Sequence, residues 1–119
     1  MQLQLVPVPV SDVERAKAFY ADRVGFHLDH DHALNETVRF VQLTPPGSAC
    51  SIVIGTGITT SPPGSSQGLL LVVSDIEAAR AELAGRGVEV SPVRHEQWGS
   101  QHAYFADPDG NTWQLQQPR

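Results

Sequence analysis

The chain has 119 residues, of which 40% are hydrophobic, and a formal charge of −5. This length suits one compact domain, and a single cysteine excludes an internal disulfide or a cysteine-rich zinc module. The acidic balance argues against nucleic-acid binding. Because the sequence shows neither an apolar run of about 20 residues nor a signal-peptide pattern at its start, we expect no membrane association and a cytoplasmic location.

The sequence contains an internal repeat. The segment VSDVERAKA at 10–18 recurs as VSDIEAARA at 73–81, and Pro45-Pro46-Gly47 recurs as Pro108-Asp109-Gly110, both at an offset of 63 residues. One offset that links two separated motifs indicates two copies of a structural unit. The predicted organisation is a single domain of two modules, residues 1–57 and 66–119. A Pro/Ser/Gly-rich linker, residues 58–65, joins them.

Each module is predicted to have the element order βαβββ. Apolar strands at 3–9 and 69–73 open the modules, and each is followed by a helix with a capping-box pattern, Ser11-x-x-Glu14 or Ser74-x-x-Glu77. Alternating segments with turn signals between them predict three further strands in each module. These strands are expected at 26–31, 38–44 and 50–54, and at 88–93, 102–106 and 112–116.

The order of these motifs resembles the vicinal oxygen chelate superfamily, which includes glyoxalase I, bleomycin-resistance proteins and extradiol dioxygenases. The resemblance rests on the repeat, on VSDVERAKAFY at 10–20 with Val24-Gly25-Phe26, and on DPDGN at 107–111. It implies an α+β fold in which two paired βαβββ modules form an incomplete barrel around a site. It also implies a homodimer.

The resemblance further implies where a divalent metal would be held in the family's enzymes. The matching positions here are Leu5 and its repeat mate Gly68, and Ser51 and its repeat mate Gln114. None of the four provides a carboxylate or an imidazole. Because divalent sites need several such donors, we expect no metal and no cofactor. The candidate ligand-binding residues are these four positions together with three aromatic residues: Leu5, Phe40, Ser51, Gly68, Trp98, Tyr104 and Gln114.

Five histidines remain, and none occupies a metal position of the family. His95 and His102 are the candidates for a catalytic acid or base, because imidazole titrates near neutral pH. His30-x-His32 places two rings on one strand face, either as solvated polar surface or as a relocated metal site, with Asp29 and Asp31 expected on the other face.

The sequence therefore predicts a metal-independent protein that binds a small molecule, of the bleomycin-resistance kind. The alternative is a metal-independent lyase, isomerase or cyclase that uses one of the histidines as acid or base.

Overall fold

The computed structural model describes residues 1–97 and 99–119. Its eight strands form two separate four-stranded mixed sheets, and each sheet is accompanied by one helical segment, which confirms the predicted α+β fold class. The elements in chain order are β1 (Leu5–Pro7), α1 (Val13–Ala18), a π-helical continuation (Phe19–Val24), β2 (His27–Ala33), β3 (Arg39–Thr44), β4 (Ser51–Thr56), β5 (Leu69–Val72), α2 (Ile76–Gly85), β6 (Arg94–His95), β7 (Gln101–Ala106) and β8 (Thr112–Gln117).

Both sheets have the same strand order. The first runs β1-β4-β3-β2 and the second β5-β8-β7-β6, with the opening strand of each module parallel to its last strand and the other pairs antiparallel. Side chains of successive residues alternate between the two faces of a strand. One face of each sheet therefore packs on the core, and we call the other its open face.

The prediction of a strand at 88–93 is wrong. Pairing in this part of the chain is limited to β6, Arg94–His95. Pro92 has no N–H to donate, and Ser91 makes irregular bonds to Tyr104 through both its N–H and its hydroxyl. The second sheet is consequently short at this edge.

The register of β5 also differs from the expectation that Gly68 is the counterpart of Leu5. Leu5 lies opposite Ser51 in the first sheet, whereas Leu70 lies opposite Gln114 in the second. Gly68 precedes β5 and takes a left-handed φ of 72°. The second module thus reaches its helix from the equivalent strand position in two fewer residues.

The helices begin one residue later than the capping-box pattern predicts. Asp12 and Asp75 are the N-caps, and their carboxylates accept from the backbone N–H groups of Arg15 and Ala78 at 3.1 Å. The Ser11 hydroxyl instead donates to Asp109 Oδ1 at 2.6 Å. The first helix is therefore tied at its start to a turn of the second module.

A buried polar cluster joins the two modules. The Tyr20 hydroxyl donates to Asp107 Oδ2 at 2.7 Å and accepts from Trp113 Nε1 at 2.9 Å. Asn111 Nδ2 donates to the same carboxylate at 2.7 Å and to the carbonyl of Pro9 at 2.8 Å. We call Tyr20, Asp107, Asn111 and Trp113 the intermodule cluster. The DPDGN motif is thus a hairpin turn that also binds the first module.

The intermodule cluster lies within the hydrophobic core. Tyr20 stacks on Phe26 and meets Trp113 at 5.7 Å between ring centroids, and Trp113 stacks on Phe105. Burial, and then the charge of the Asp107 carboxylate, raise the pKa of the Tyr20 phenol far above its ordinary value of 10.0. Tyr20 therefore remains a neutral hydrogen-bond donor.

Two arginines at equivalent repeat positions cap each other's helix. Arg86 donates to the carbonyls of Arg23 and Val24 at 2.6 and 3.1 Å, and Arg23 donates to the carbonyls of Arg86 and Gly87 at 3.4 Å. Cations at helix C-termini satisfy the last carbonyls and the helix dipole.

Across residues 1–97 and 99–119, the helices are all too short or too polar to cross a bilayer.

Candidate functional site

The open face of the second sheet carries aromatic, aliphatic and amide side chains. Cross-strand pairing places Tyr104 beside Gln114, and Gln114 beside Leu70. Leu70 and Tyr104 are 50% and 40% exposed, so this face offers apolar surface to solvent. Trp113 and Leu115 alternate with Gln114 and are buried on the opposite, core face.

A cavity of about 630 Å³ lies on this open face. Three predicted ligand-binding residues, Gly68, Tyr104 and Gln114, line it together. All of its lining residues are uncharged: Gln67, Gly68, Tyr104, Phe105, Ala106, Thr112, Trp113 and Gln114. This arrangement combines an aromatic ring with two amides and a hydroxyl, which suits a neutral ligand with both apolar and polar parts.

Gly68 shapes one wall of this cavity through its backbone. Its left-handed φ of 72° suits glycine, and its N–H donates to Thr112 Oγ1 at 2.7 Å. Thr112 also donates to the Gln67 side-chain amide at 3.3 Å. Gln67 is not among the residues predicted from the sequence. Thr112 follows from alternation, which places its hydroxyl on the same strand face as Gln114.

His102 lies next to the cavity and is held by two partners. Its Nε2 is 3.0 Å from the hydroxyl of buried Ser100, and its Nδ1 contacts the side-chain amide of Gln114. In the neutral imidazole one ring nitrogen donates and the other accepts. The tautomer of His102 therefore decides whether the Gln114 amide presents its nitrogen or its oxygen to Nδ1. His95 pairs with Gln101 rather than with His102, so its side chain projects from the opposite face of the sheet. The structure thus separates the two catalytic candidates.

Leu5, Phe40 and Ser51 lie on the first sheet instead. Leu5 and Ser51 are direct neighbours, and the Ser51 hydroxyl is 2.6 Å from the hydroxyl of Thr44. Thr44 in turn donates to Asp29. Phe40 is half-buried on the same open face. The remaining candidate, Trp98, lies outside the described residues.

The expectation that Asp29 and Asp31 share the face opposite His30 is half wrong. Asp31 faces the helix side, where it binds Arg39 and Lys17. Asp29, however, occupies an irregularity of β2 between Leu28 and His30, and its carboxylate reaches Thr44 on the open face. A β-bulge of this kind changes the alternation of side chains along a strand.

The residues at the family's metal positions do not fit a divalent cation. Leu5 and Leu70 have no donor atom, and Ser51 and Gln114 provide one neutral oxygen donor each. Within residues 1–97 and 99–119, no three His, Cys, Asp or Glu side chains converge as a ligand set. We therefore derive no chemistry through a metal at these positions.

The chain is thus an α+β protein of two βαβββ modules, with a cavity on the open face of the second sheet. The chain belongs to the Glyoxalase/Bleomycin resistance protein/Dioxygenase superfamily, whose family model matches residues 2–115. Among curated proteins, it is 28% identical over 120 residues to YetH, an uncharacterized protein of Bacillus subtilis strain 168, covering 98% of each chain.

Solved structures that share this fold include an antibiotic binding protein. It resembles TnmS3, an antibiotic binding protein from Streptomyces sp. CB03234, with 43% identity, a TM-score of 0.89, and coverage of 100% of this chain and 97% of that one. A glyoxalase/bleomycin resistance protein from the same organism is 42% identical, with a TM-score of 0.83 and coverage of 96% and 98%. A superfamily member from Sphaerobacter thermophilus is 32% identical, with a TM-score of 0.86 and coverage of 99% and 98%.

Proposed function

We propose that this protein binds an antibiotic-like small organic molecule without a metal and without converting it. The observation that carries the proposal is the 43% identity to the antibiotic binding protein TnmS3 over the whole chain. One fold can host many functions, so the residues of the cavity have to suit such a ligand as well.

The cavity on the second sheet supports this proposal. Its volume of about 630 Å³ falls within the range of roughly 300–1,000 Å³ typical of small-molecule pockets. Tyr104 offers a ring face for apolar contact, and the amides of Gln67 and Gln114 can donate and accept. Because its lining is uncharged, we propose a neutral ligand.

We further propose that the protein acts as a homodimer in the cytoplasm. Leu70 and Val72 on the open face are 50% and 65% exposed, and such apolar surface favours cover by a second copy. The open face of the first sheet, with Leu5, Phe40 and Ser51, would then contribute to a site shared between copies. Light scattering measures the mass directly: a dimer that Val72→Glu dissociates supports this assembly, and a monomeric parent contradicts it.

A ligand titration tests the binding proposal. A panel of neutral antibiotics is screened by thermal shift, and positive compounds are titrated by calorimetry and recovered for mass analysis. A compound at 100-fold over its dissociation constant should add about 2.7 kcal/mol to the free energy of unfolding. We expect one ligand per site, recovered unchanged.

Two variants connect this binding to the cavity. Tyr104→Ala and Gln114→Ala should each weaken binding about tenfold or more, because each removes a contact that solvent does not replace. Leu34→Ala is the matched control, since Leu34 is 68% exposed and lies outside the cavity lining. Equal affinity in all three variants would exclude this cavity as the site.

The hydrogen bonds of His102 favour a second candidate function. A ring held between Ser100 and Gln114 is oriented at the edge of the cavity, as a general acid or base would be. A metal-independent lyase, isomerase or cyclase would show a product in the mass analysis. His102→Gln would abolish its formation, and circular dichroism would show the parent's fold for that variant. Unchanged ligand in every trial refutes it.

A further inference from the structure

Strand β2 carries two exposed histidines that the small-molecule site does not use. His30 pairs with Gln42 and His32 pairs with Phe40 across the strand boundary. Gln42 and Phe40 lie on the open face of the first sheet, so both imidazoles lie there too. Both are exposed, because β2 is the edge strand of this sheet.

The irregularity at Asp29 is what gives the pair this orientation. His27 pairs with Thr44 on the open face, and strict alternation from His27 would turn Asp29 and Asp31 outward and both His30 and His32 toward the helix side. One extra residue between Leu28 and His30 reverses the alternation. The same shift turns Asp31 inward to Lys17 and Arg39, so the strand is fixed by an ion-pair network beneath the two rings.

The two rings are spaced as a chelating pair requires. Their centroids are 5.8 Å apart, with an interplanar angle of 25°. A cation about 2.0–2.1 Å from one nitrogen of each imidazole, in tetrahedral geometry, places the two ring centres about 5 Å apart. Both side chains are exposed, so rotation about their torsions can bring one nitrogen of each ring to the same ion.

We propose that His30 and His32 form a binding site for a divalent transition cation of the Zn²⁺, Cu²⁺ or Ni²⁺ class. Imidazole is a preferred ligand for these ions and a poor one for Mg²⁺ or Ca²⁺. Two side chains hold one side of the ion, and water fills the other coordination positions. The site lies on β2, whereas the family's metal positions lie on the opening and last strands of each module.

The proposal does not depend on the proposed small-molecule function. The ion site is on β2, and the lining of the ligand cavity comes entirely from the second module. The proposed homodimer would bring the open face of the first sheet to that cavity, but the residues assigned there are Leu5, Phe40 and Ser51 and not the two histidines. A failure of the antibiotic titration leaves the ion site intact, and a failure of ion binding leaves the ligand cavity intact. Each is measured with its own probe.

Titration of untagged protein with Zn²⁺ and with Ni²⁺, by calorimetry in a non-coordinating buffer at pH 7.5, tests the site. We expect one equivalent per chain, with no comparable heat from Mg²⁺. His30→Ala and His32→Ala should each weaken binding about tenfold or more, because a chelate that loses one arm loses its intramolecular second contact. The double variant should be scarcely weaker than either single variant.

His27→Ala and His95→Ala are matched controls, since each removes one exposed imidazole outside the pair. They should bind as the parent does, and circular dichroism should show the parent's spectrum for all variants. Binding that is absent in the folded parent, or that His30→Ala and His32→Ala leave unchanged, would overturn the proposal. Equal losses in all four variants would also overturn it, because they indicate nonspecific surface binding.

Discussion

Replacing Tyr20 by phenylalanine tests whether the intermodule cluster contributes to stability as the geometry indicates. The change removes one hydroxyl from a side chain that is 0% exposed and leaves the ring contacts with Phe26 and Trp113 in place. Two hydrogen bonds are lost, the one donated to Asp107 at 2.7 Å and the one accepted from Trp113 at 2.9 Å. Asp107 keeps Asn111 and two backbone N–H groups as donors.

The expected loss follows from what remains unpaired. A hydrogen bond to a charged group contributes about 1.5–3 kcal/mol, and a buried donor without a partner costs about 1–3 kcal/mol. Because Asp107 retains three donors, the two effects together should lower the free energy of unfolding by about 2–4 kcal/mol. That is a large share of the roughly 5–15 kcal/mol typical of a folded domain.

Urea unfolding followed by tryptophan fluorescence and by circular dichroism measures this loss. With a urea slope of about 2 kcal/mol per M, in the middle of the usual range, the midpoint should fall by about 1–2 M. Tyr104→Phe makes the same chemical change at a residue that is 40% exposed, and it should stay within about 0.5 kcal/mol of the parent. If Tyr20→Phe is equally mild, the cluster does not stabilise the junction and our account of it is wrong.

The remaining predictions concern pH and backbone geometry. Folding raises the pKa of Tyr20, so only the unfolded chain releases this proton near pH 10.0. The free energy of unfolding should therefore fall above that pH by up to about 1.4 kcal/mol per pH unit. Urea titrations at alkaline pH should show that Tyr20→Phe lacks this pH-dependent loss. Hydrogen bonds from Arg39 and then Lys17 lower the pKa of Asp31 on folding, so the ionised carboxylate stabilises the fold above its ordinary pKa of 3.8 and this stabilisation is lost on acidification. Asp31→Asn should lower the free energy of unfolding by about 1 kcal/mol at neutral pH. An acid titration of this variant should show a weaker dependence of stability on pH. Gly64 and Gly47 have similar left-handed φ angles of 79° and 78°, but a Cβ at Gly64 would lie 2.1 Å from the Asp109 carbonyl oxygen, whereas a Cβ at Gly47 would meet open space. Gly47→Ala should therefore lower the free energy of unfolding by about 1–2 kcal/mol, and thermal unfolding should show a clearly larger loss for Gly64→Ala. Equal losses would mean that the close approach to Asp109 is unimportant.

The repeat and the periodicity of apolar residues predict both helices and seven of the eight strands found in the described residues, because these elements depend on local pattern. Helix α1 and its π-helical continuation place Ala16, Tyr20 and Val24 on one buried face, as a helical period requires. The strand at 88–93 fails because Pro92 and Ser91 replace regular pairing with single irregular bonds. Alternation alone cannot show this, since the apolar residues keep their spacing.

The candidate site was predicted less completely than the fold. Tyr104, Gln114 and Gly68 line one cavity, but Leu70 rather than Gly68 lies opposite Gln114. The extra residue at Asp29 left no signal, because polar residues fill both faces of β2. The intermodule cluster depends on contacts such as Tyr20 to Asp107, which are 87 residues apart, and no local pattern reports such a pairing.

The exchange of helix caps between Arg23 and Arg86 bears on how the two halves came to share one chain. Each arginine satisfies carbonyls that belong to the other half, in the reciprocal manner of an isologous interface between two identical subunits. A single ancestral module could have made this same contact with a second copy of itself. The contact from Tyr20 to Asp107 has a different character, because its repeat mate Leu83 has no hydroxyl to donate. The junction between the two modules thus combines a symmetric contact, Arg23 with Arg86, and an asymmetric one, Tyr20 with Asp107.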